Sequence, residues 1–143
     1  MSKLRMIEEA RRKPKALEER EKQKILEILK DVFSNVEEIS LAVVHGGFVE
    51  CKVFRDIDIA VYFSSYPFKE NVLEELRDNL ERELNIAIDI QILNYAPPGF
   101  IVKVLKNGLI LSEKIPGLRA ILLIHMIEEC VRLSRPRIMK LTQ

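Results

Sequence analysis

The spacing of hydrophobic residues along this chain switches between a helical and a strand period, and the switches mark its elements. From about Ala16 the apolar positions Leu17, Ile25, Ile28, Leu29 and Val32 recur at helical intervals and stop near Phe33. Ser40 to His45 is an apolar run short enough for a strand, and Ile57 to Phe63 predicts a second. Residues 69–85 return to the helical period, with Val72, Leu73, Leu76, Leu80 and Leu84 on one side. A third strand, IAIDIQIL, occupies 86–93, after which Pro97-Pro98-Gly99 breaks the pattern. A short helix over 99–106 ends at Asn107-Gly108, and Leu109 to Ser112 reads as a brief fourth strand. The last helix, 118–134, follows Pro116-Gly117 and is stopped by Pro136. Helices alternating with strands predict an α/β fold.

Strand periodicity also sorts the polar residues. Asp56 and Asp58 open the second strand two positions apart, so both carboxylates point to one face while Ile57, Ile59 and Val61 point to the other. In the third strand Ile86, Ile88, Ile90 and Ile92 share a face, and Ala87, Asp89 and Gln91 share the opposite one. If the two strands are neighbours with their isoleucines turned to the same helical layer, Asp89 joins Asp56 and Asp58 on one sheet face. Carboxylates crowded in this way repel unless a cation or a proton neutralises them. A hard divalent ion such as Mg²⁺, held by carboxylates together with substrate phosphates, is the natural partner. The Gly46-Gly47 pair just upstream would let backbone approach phosphate oxygens closely.

This arrangement, a glycine pair, then Asp-Ile-Asp, then a later strand Asp, resembles the nucleotidyltransferase domain of the DNA polymerase beta superfamily. Within it the chain most resembles the minimal nucleotidyltransferases, small proteins often paired with a HEPN-domain toxin. The resemblance spans roughly residues 17–113. It implies a single nucleotidyltransferase-like domain over 1–143, built on a small mixed β-sheet with helices packed on one side. It also implies that Gly46 and Gly47 grip the nucleoside triphosphate and that Asp56 and Asp58 bind Mg²⁺. Asp89 would complete the metal site and help to deprotonate the acceptor hydroxyl. The expected reaction is transfer of a nucleoside monophosphate, AMP from ATP, to a hydroxyl of a partner protein in an antitoxin-like role. The chain departs from the family pattern near the glycines. Gly47 stands where Ser is frequent, Phe48 stands where Arg is common, and only residues 48–55 separate the glycine pair from Asp56. These changes leave the acids intact and weaken the case for ordinary nucleotide affinity.

Composition narrows the picture. At 143 residues the chain has the size of one domain, and a net charge of +1 gives no broad basic track for nucleic acid. Cys51 and Cys130 stand far apart with no metal-ligand spacing, no apolar leader opens the chain, and Ala120 to Ile127 is too short to span a bilayer. A cytoplasmic protein is the expectation. Residues 1–15, rich in Lys, Arg and Glu, form an exposed arm or short helix whose charges read as a solvated face. Lys52 and Arg55 read as loop charges with a possible phosphate role, His45 as a local hydrogen-bonding residue, and Tyr62 as a sheet-surface aromatic able to stack on a base. Arg119 and His125 have the Arg-x5-His spacing found in HEPN ribonucleases, but too little chain follows them to build the required bundle. Helix 118–134 is apolar nearly all round, so it packs across the sheet or forms a dimer or partner interface. Three readings stay open: an active transferase, a non-catalytic nucleotide-binding or partner-binding module, and a plain interaction domain.

Overall fold

In a computed structural model, which describes residues 2–65 and 67–135, the apolar periods resolve into six helices and four strands among those residues. In chain order they are α1 (Lys3–Arg11), α2 (Glu19–Ser34), β1 (Leu41–His45), α3 (Gly47–Glu50), β2 (Asp56–Tyr62), α4 (Asn71–Leu84), β3 (Ala87–Ile92), α5 (Pro98–Asn107), β4 (Leu109–Glu113) and α6 (Leu118–Ser134). A single 3₁₀ turn, Leu93–Tyr95, follows β3. The helix stop assigned to Pro136 lies outside the described residues.

The strands form one mixed sheet in the order β3-β2-β1-β4. β1 runs antiparallel to both β2 and β4, and β2 runs parallel to β3. The β2–β3 register sets Ile57 opposite Ile88 and Asp58 opposite Asp89. In-phase pairing keeps all the isoleucines of both strands on one face and all the acids on the other.

The isoleucine face carries the main core. Ile25, Leu26, Leu29 and Phe33 of α2, and Leu73 and Leu80 of α4, pack with Ile57, Ile59, Val61 and Ile88. Asn85 caps α4 in the left-handed conformation (φ 54°), its N–H donating to the Glu81 carbonyl at 2.9 Å. This is the helical layer expected from the sequence.

A second, smaller layer is an addition to that picture. Ile101, Val104 and Leu105 of α5 and Leu118 of α6 pack on Leu41, Val43 and Ala60, which lie on the same face as the acids. Helices therefore sit on both sides of the sheet, and on the acidic side they cover only the part away from Asp56 and Asp58. The physical reason is that the acid-bearing face turns apolar along β1 and the later part of β2. A half-apolar face needs its own cover.

Of the two uses its sequence left open for the last helix, packing within the domain is seen on one side, and the other side stays uncovered. One side of α6 packs on α5, and the Arg119 side chain donates to the Leu105 carbonyl at 2.8 Å, so Arg119 is a structural tie. The outer side leaves Ile121 62% and Ile124 59% exposed, with Val131 beside them. None of the described helices is long and apolar enough to cross a membrane.

Candidate active site

β1 delivers the chain to the site by ending in His45-Gly46-Gly47. Gly46 has φ +75°, and a Cβ there would stand 2.6 Å from Asp58 Oδ2. Both facts require glycine at this position. The Gly46 carbonyl then accepts the N–H groups of Val49 and Glu50 at 3.0 Å, so the expected turn opens into the single helical turn α3. Gly47 has ordinary backbone, and a Cβ there would meet Phe54 at a normal 3.5 Å. Phe48 turns inward, 2% exposed and edge-on to Phe54 with ring centroids 5.0 Å apart. The Lys22 ammonium lies near both rings and donates to the carbonyls of Phe48 and Cys51 at 3.1 Å each, fastening the end of α3 to α2.

The structure brings Asp56, Asp58 and Asp89 together, with one carboxylate oxygen of each within 4.8 Å of the others. All three are half-buried. Asp58 is oriented by a polar chain across the sheet. Gln91 Nε2 donates to Asp58 Oδ1 at 3.2 Å, and Gln91 Oε1 pairs with His45 Nε2 at 2.8 Å. An amide oxygen only accepts, so His45 carries its proton on Nε2. His45 also lies edge-on to Phe100 with centroids 5.8 Å apart, which makes it the local hydrogen-bonding residue expected.

Asp56 and Asp89 divide their charge unequally. Burial first, then its hydrogen bond to Asp89 and the nearby carboxylates, push the Asp56 carboxyl up to about 6. Asp89 moves the other way, held below the usual range chiefly by its hydrogen bond from Arg12. Arg12 is the residue that the sequence did not disclose. Its Nη1 donates to Asp56 Oδ2 at 3.2 Å and its Nη2 to Asp89 Oδ1 at 3.1 Å. The basic arm was expected to be a solvated face. Most of α1 is, but Arg12 is drawn in because the acids are an uncompensated negative cluster.

Beside Asp58 and Gly46 lies a cavity of about 300 Å³, also lined by His45, Glu50, Gln91, Phe100, Lys103 and Asn107. Phe100, Lys103, Val104 and Asn107 follow the i, i+3, i+4, i+7 rule on one face of α5. These positions belong to the short helix expected over 99–106 and its Asn107-Gly108 stop, to whose polar residues the sequence assigned no role in a site. A larger cavity of about 460 Å³, lined by Tyr62, His125 and Met126 among others, lies between α6 and the sheet, away from the acids. Tyr62 therefore faces this second cavity. Lys52 and Arg55 are both exposed on the loop.

The donor set suits a hard divalent ion: three carboxylates, no sulfur, and enough mutual crowding that a cation relieves repulsion. Residues 27–116 match the family described as "Polymerase beta, Nucleotidyltransferase", and the chain belongs to that family. Among solved structures, the chain is similar to one from the complex of tri-AMPylated Shewanella oneidensis HEPN toxin with MNT antitoxin, at 19% identity and TM-score 0.64, covering 79% of this chain and 89% of that one. A toxin–antitoxin structure with AMP-PNP gives 23% identity and TM-score 0.62 over 79% and 89% of the two chains. The MntA–HepT toxin–antitoxin complex gives 21% and 0.58 over 82% and 90%. No curated protein matches the chain in a sequence search.

Proposed function

We propose that this chain is a metal-dependent nucleotidyltransferase that transfers AMP from ATP to a hydroxyl of a HEPN-type partner protein, in an antitoxin-like role. The observation that carries this reading is the convergence of Asp56, Asp58 and Asp89 beside the Gly46 turn, in a chain of this family. The neighbours bound to HEPN toxin and to AMP-PNP support the choice of partner and nucleotide.

Asp56, Asp58 and Asp89 would hold Mg²⁺, which when bound supplies charge neutralisation for the triphosphate and its transferring phosphorus. Lys103 on the wall of the cavity adds positive charge for phosphate, and Phe100 offers an aromatic edge. The Gly46 backbone leaves room for phosphate oxygens beside Asp58. Gln91 holds Asp58 in one orientation, which matters because transfer of this kind depends on positioning more than on covalent help from the protein. The acceptor oxygen forms its bond to the α-phosphorus while the bond from that phosphorus to the bridging oxygen breaks. Pyrophosphate leaves, and Asp89 takes the hydroxyl proton. The outer stripe of α6, with Ile121, Ile124 and Val131, is an apolar surface on which the partner docks. A homodimer through the same stripe is the competing use.

The test is incubation with isotopically labelled ATP, Mg²⁺ and a HEPN-type protein from the same source, followed by mass spectrometry. An AMP adduct on a Tyr, Ser or Thr hydroxyl, lost with Asp89→Ala, is the expected result. No adduct with wild type and variant alike would favour a second reading, a non-catalytic partner-binding module. Arg12 seated among the acids is the specific observation on that side.

A further inference from the structure

The acidic site already has a cation, and it comes from the chain itself. The Arg12 guanidinium makes three hydrogen bonds to two of the three acids: Nη1 to Asp56 Oδ2 at 3.2 Å, Nη2 to Asp89 Oδ1 at 3.1 Å, and Nη1 to Asp89 Oδ2 at 3.4 Å. A planar fork suits this task, because it can bridge two carboxylates where an ammonium would meet one. The carboxylates it engages belong to the group whose oxygens lie within 4.8 Å of one another. A metal ion would need those oxygens at about 2.0–2.6 Å. Two cations cannot share that space.

What holds Arg12 there is slight. α1 has no fully buried residue, and Leu4 and Met6 are largely exposed, so apolar packing anchors it only weakly. Its attachments are the Arg12 fork, an Arg11–Glu81 ion pair at 3.9 Å, and a two-hydrogen-bond bridge in which Lys15 and Phe54 exchange N–H and carbonyl at 2.8 and 3.0 Å. The bridge pins the chain just beyond Arg12 and beside the start of β2, so an undocked arm stays tethered at the mouth of the site. The Arg12 pairs are partly open to solvent, the Arg11–Glu81 pair is long, and Arg11 Nε is buried without a hydrogen-bond partner, so a segment held in this way opens at low free energy. The arm also precedes residue 27, where the family match begins.

We propose that Arg12 is a tethered cation that closes the acidic site, so that docking of the N-terminal arm and binding of a divalent metal exclude each other. This rests on the reading of Asp56, Asp58 and Asp89 as metal ligands. The metal-free chain holds its arm docked, and a divalent ion displaces Arg12 into solvent. The apparent metal affinity is then lowered by the fraction of molecules whose arm is open.

The test is Mn²⁺ binding to the full chain, followed by electron paramagnetic resonance of the free ion, for wild type, Arg12→Ala and Arg12→Lys, with melting temperatures to confirm folding. Arg12→Ala should bind Mn²⁺ on the order of tenfold more tightly than wild type, the factor expected for an arm docked about nine-tenths of the time. Arg12→Lys, with one point charge in place of a fork, should fall between them. In wild type, tryptic cleavage after Arg11 or Arg12 should accelerate as Mn²⁺ is added, half-maximally at the same concentration as binding. Equal affinities, tighter binding by wild type, or cleavage indifferent to Mn²⁺ would overturn the proposal. Absence of Mn²⁺ binding in every variant would instead sink the metal reading beneath it.

Discussion

Consecutive residues of β2 and β3 lead opposite lives. Ile57, Ile59 and Ile88 are fully buried against α2 and α4, while Asp56, Asp58 and Asp89, one step away along the same backbone, line a half-open face. One face is nearly saturated, with only Ile90 and Ile92, on the outermost strand, left partly open. The other is left unsatisfied, because three carboxylates are brought closer than they would choose. The contrast separates stability from chemistry. The isoleucine face fixes register and rigidity, and that rigidity forces the acids together. Repulsion that would scatter carboxylates on a loop is borne here by the core beneath them.

The largest effect that would break this division lies on the isoleucine face. Ile59→Ala should destabilise the protein by about 2–5 kcal/mol through lost burial and a residual cavity, with transfer activity per folded molecule nearly unchanged. Denaturant titration beside an activity assay at low temperature checks both. The mirror experiment is Asp58→Asn. It should reduce nucleotide transfer at least about a hundredfold, the scale of losing one group that stabilises transition-state charge. In metal-free buffer its melting temperature should equal or exceed that of wild type, because a repelling charge is gone. A large fall in stability would mean that Asp58 belongs with the isoleucines as a structural residue.

How much of this was legible depends on the range of the interaction that decides it. Face membership within a strand follows from alternation alone, so Asp56 and Asp58 could be grouped directly. Asp89 needed β3 to lie beside β2 and in phase, a fact that resides in pairing between strands and not in either sequence. The stripes of α2 and α4 predicted buried helices correctly. The stripe on α5 could not say which sheet face it covers, so the second helical layer came as an addition. Arg12 was unreadable because its partners stand 44 and 77 residues away, and no periodicity links an arm to a sheet over that distance. The four residues of α3 are too few to express a helical period. The glycine pair was visible, but not which member is obligatory; that depends on the backbone angle and on the approach of Asp58.

Gly46 and Gly47 sharpen the comparison at the boundary between the two faces. Gly46→Ala would place a Cβ against Asp58 at 2.6 Å and force an L-residue to φ +75°. A cost of about 2–3 kcal/mol follows from the backbone strain and the clash together, and Asp58 must swing away from the other acids. Both stability and metal binding should therefore fall in this one variant, as measured by thermal melting and Mn²⁺ titration. Gly47→Ser should leave both unchanged, since its Cβ meets only an ordinary contact with Phe54. If Gly46→Ala kept full metal affinity, the turn would have no role in placing Asp58.

The smallest effect separates the faces by pH. Asp56 binds its proton more tightly in the folded chain, at about 6 against an ordinary 3.8. Between those values the folded state carries more protons than the unfolded state, so metal-free stability declines as pH rises through this window and levels off above it. Asp89 is lowered, so its contribution has the opposite sign and appears only below the ordinary carboxylate value. A shift of this size corresponds to about 3 kcal/mol at full value, and a side chain still 29% exposed should retain on the order of 1–2 kcal/mol of it after screening by solvent. Urea unfolding in EDTA between pH 4.5 and 7 should show this decline in wild type and a flatter profile in Asp56→Asn. The isoleucine face carries no titratable group, so Ile59→Ala should lower the whole curve without changing its slope. Parallel curves for wild type and Asp56→Asn would show that the proton on the crowded face resides elsewhere, and that Asp56 is not where the repulsion among the acids is relieved.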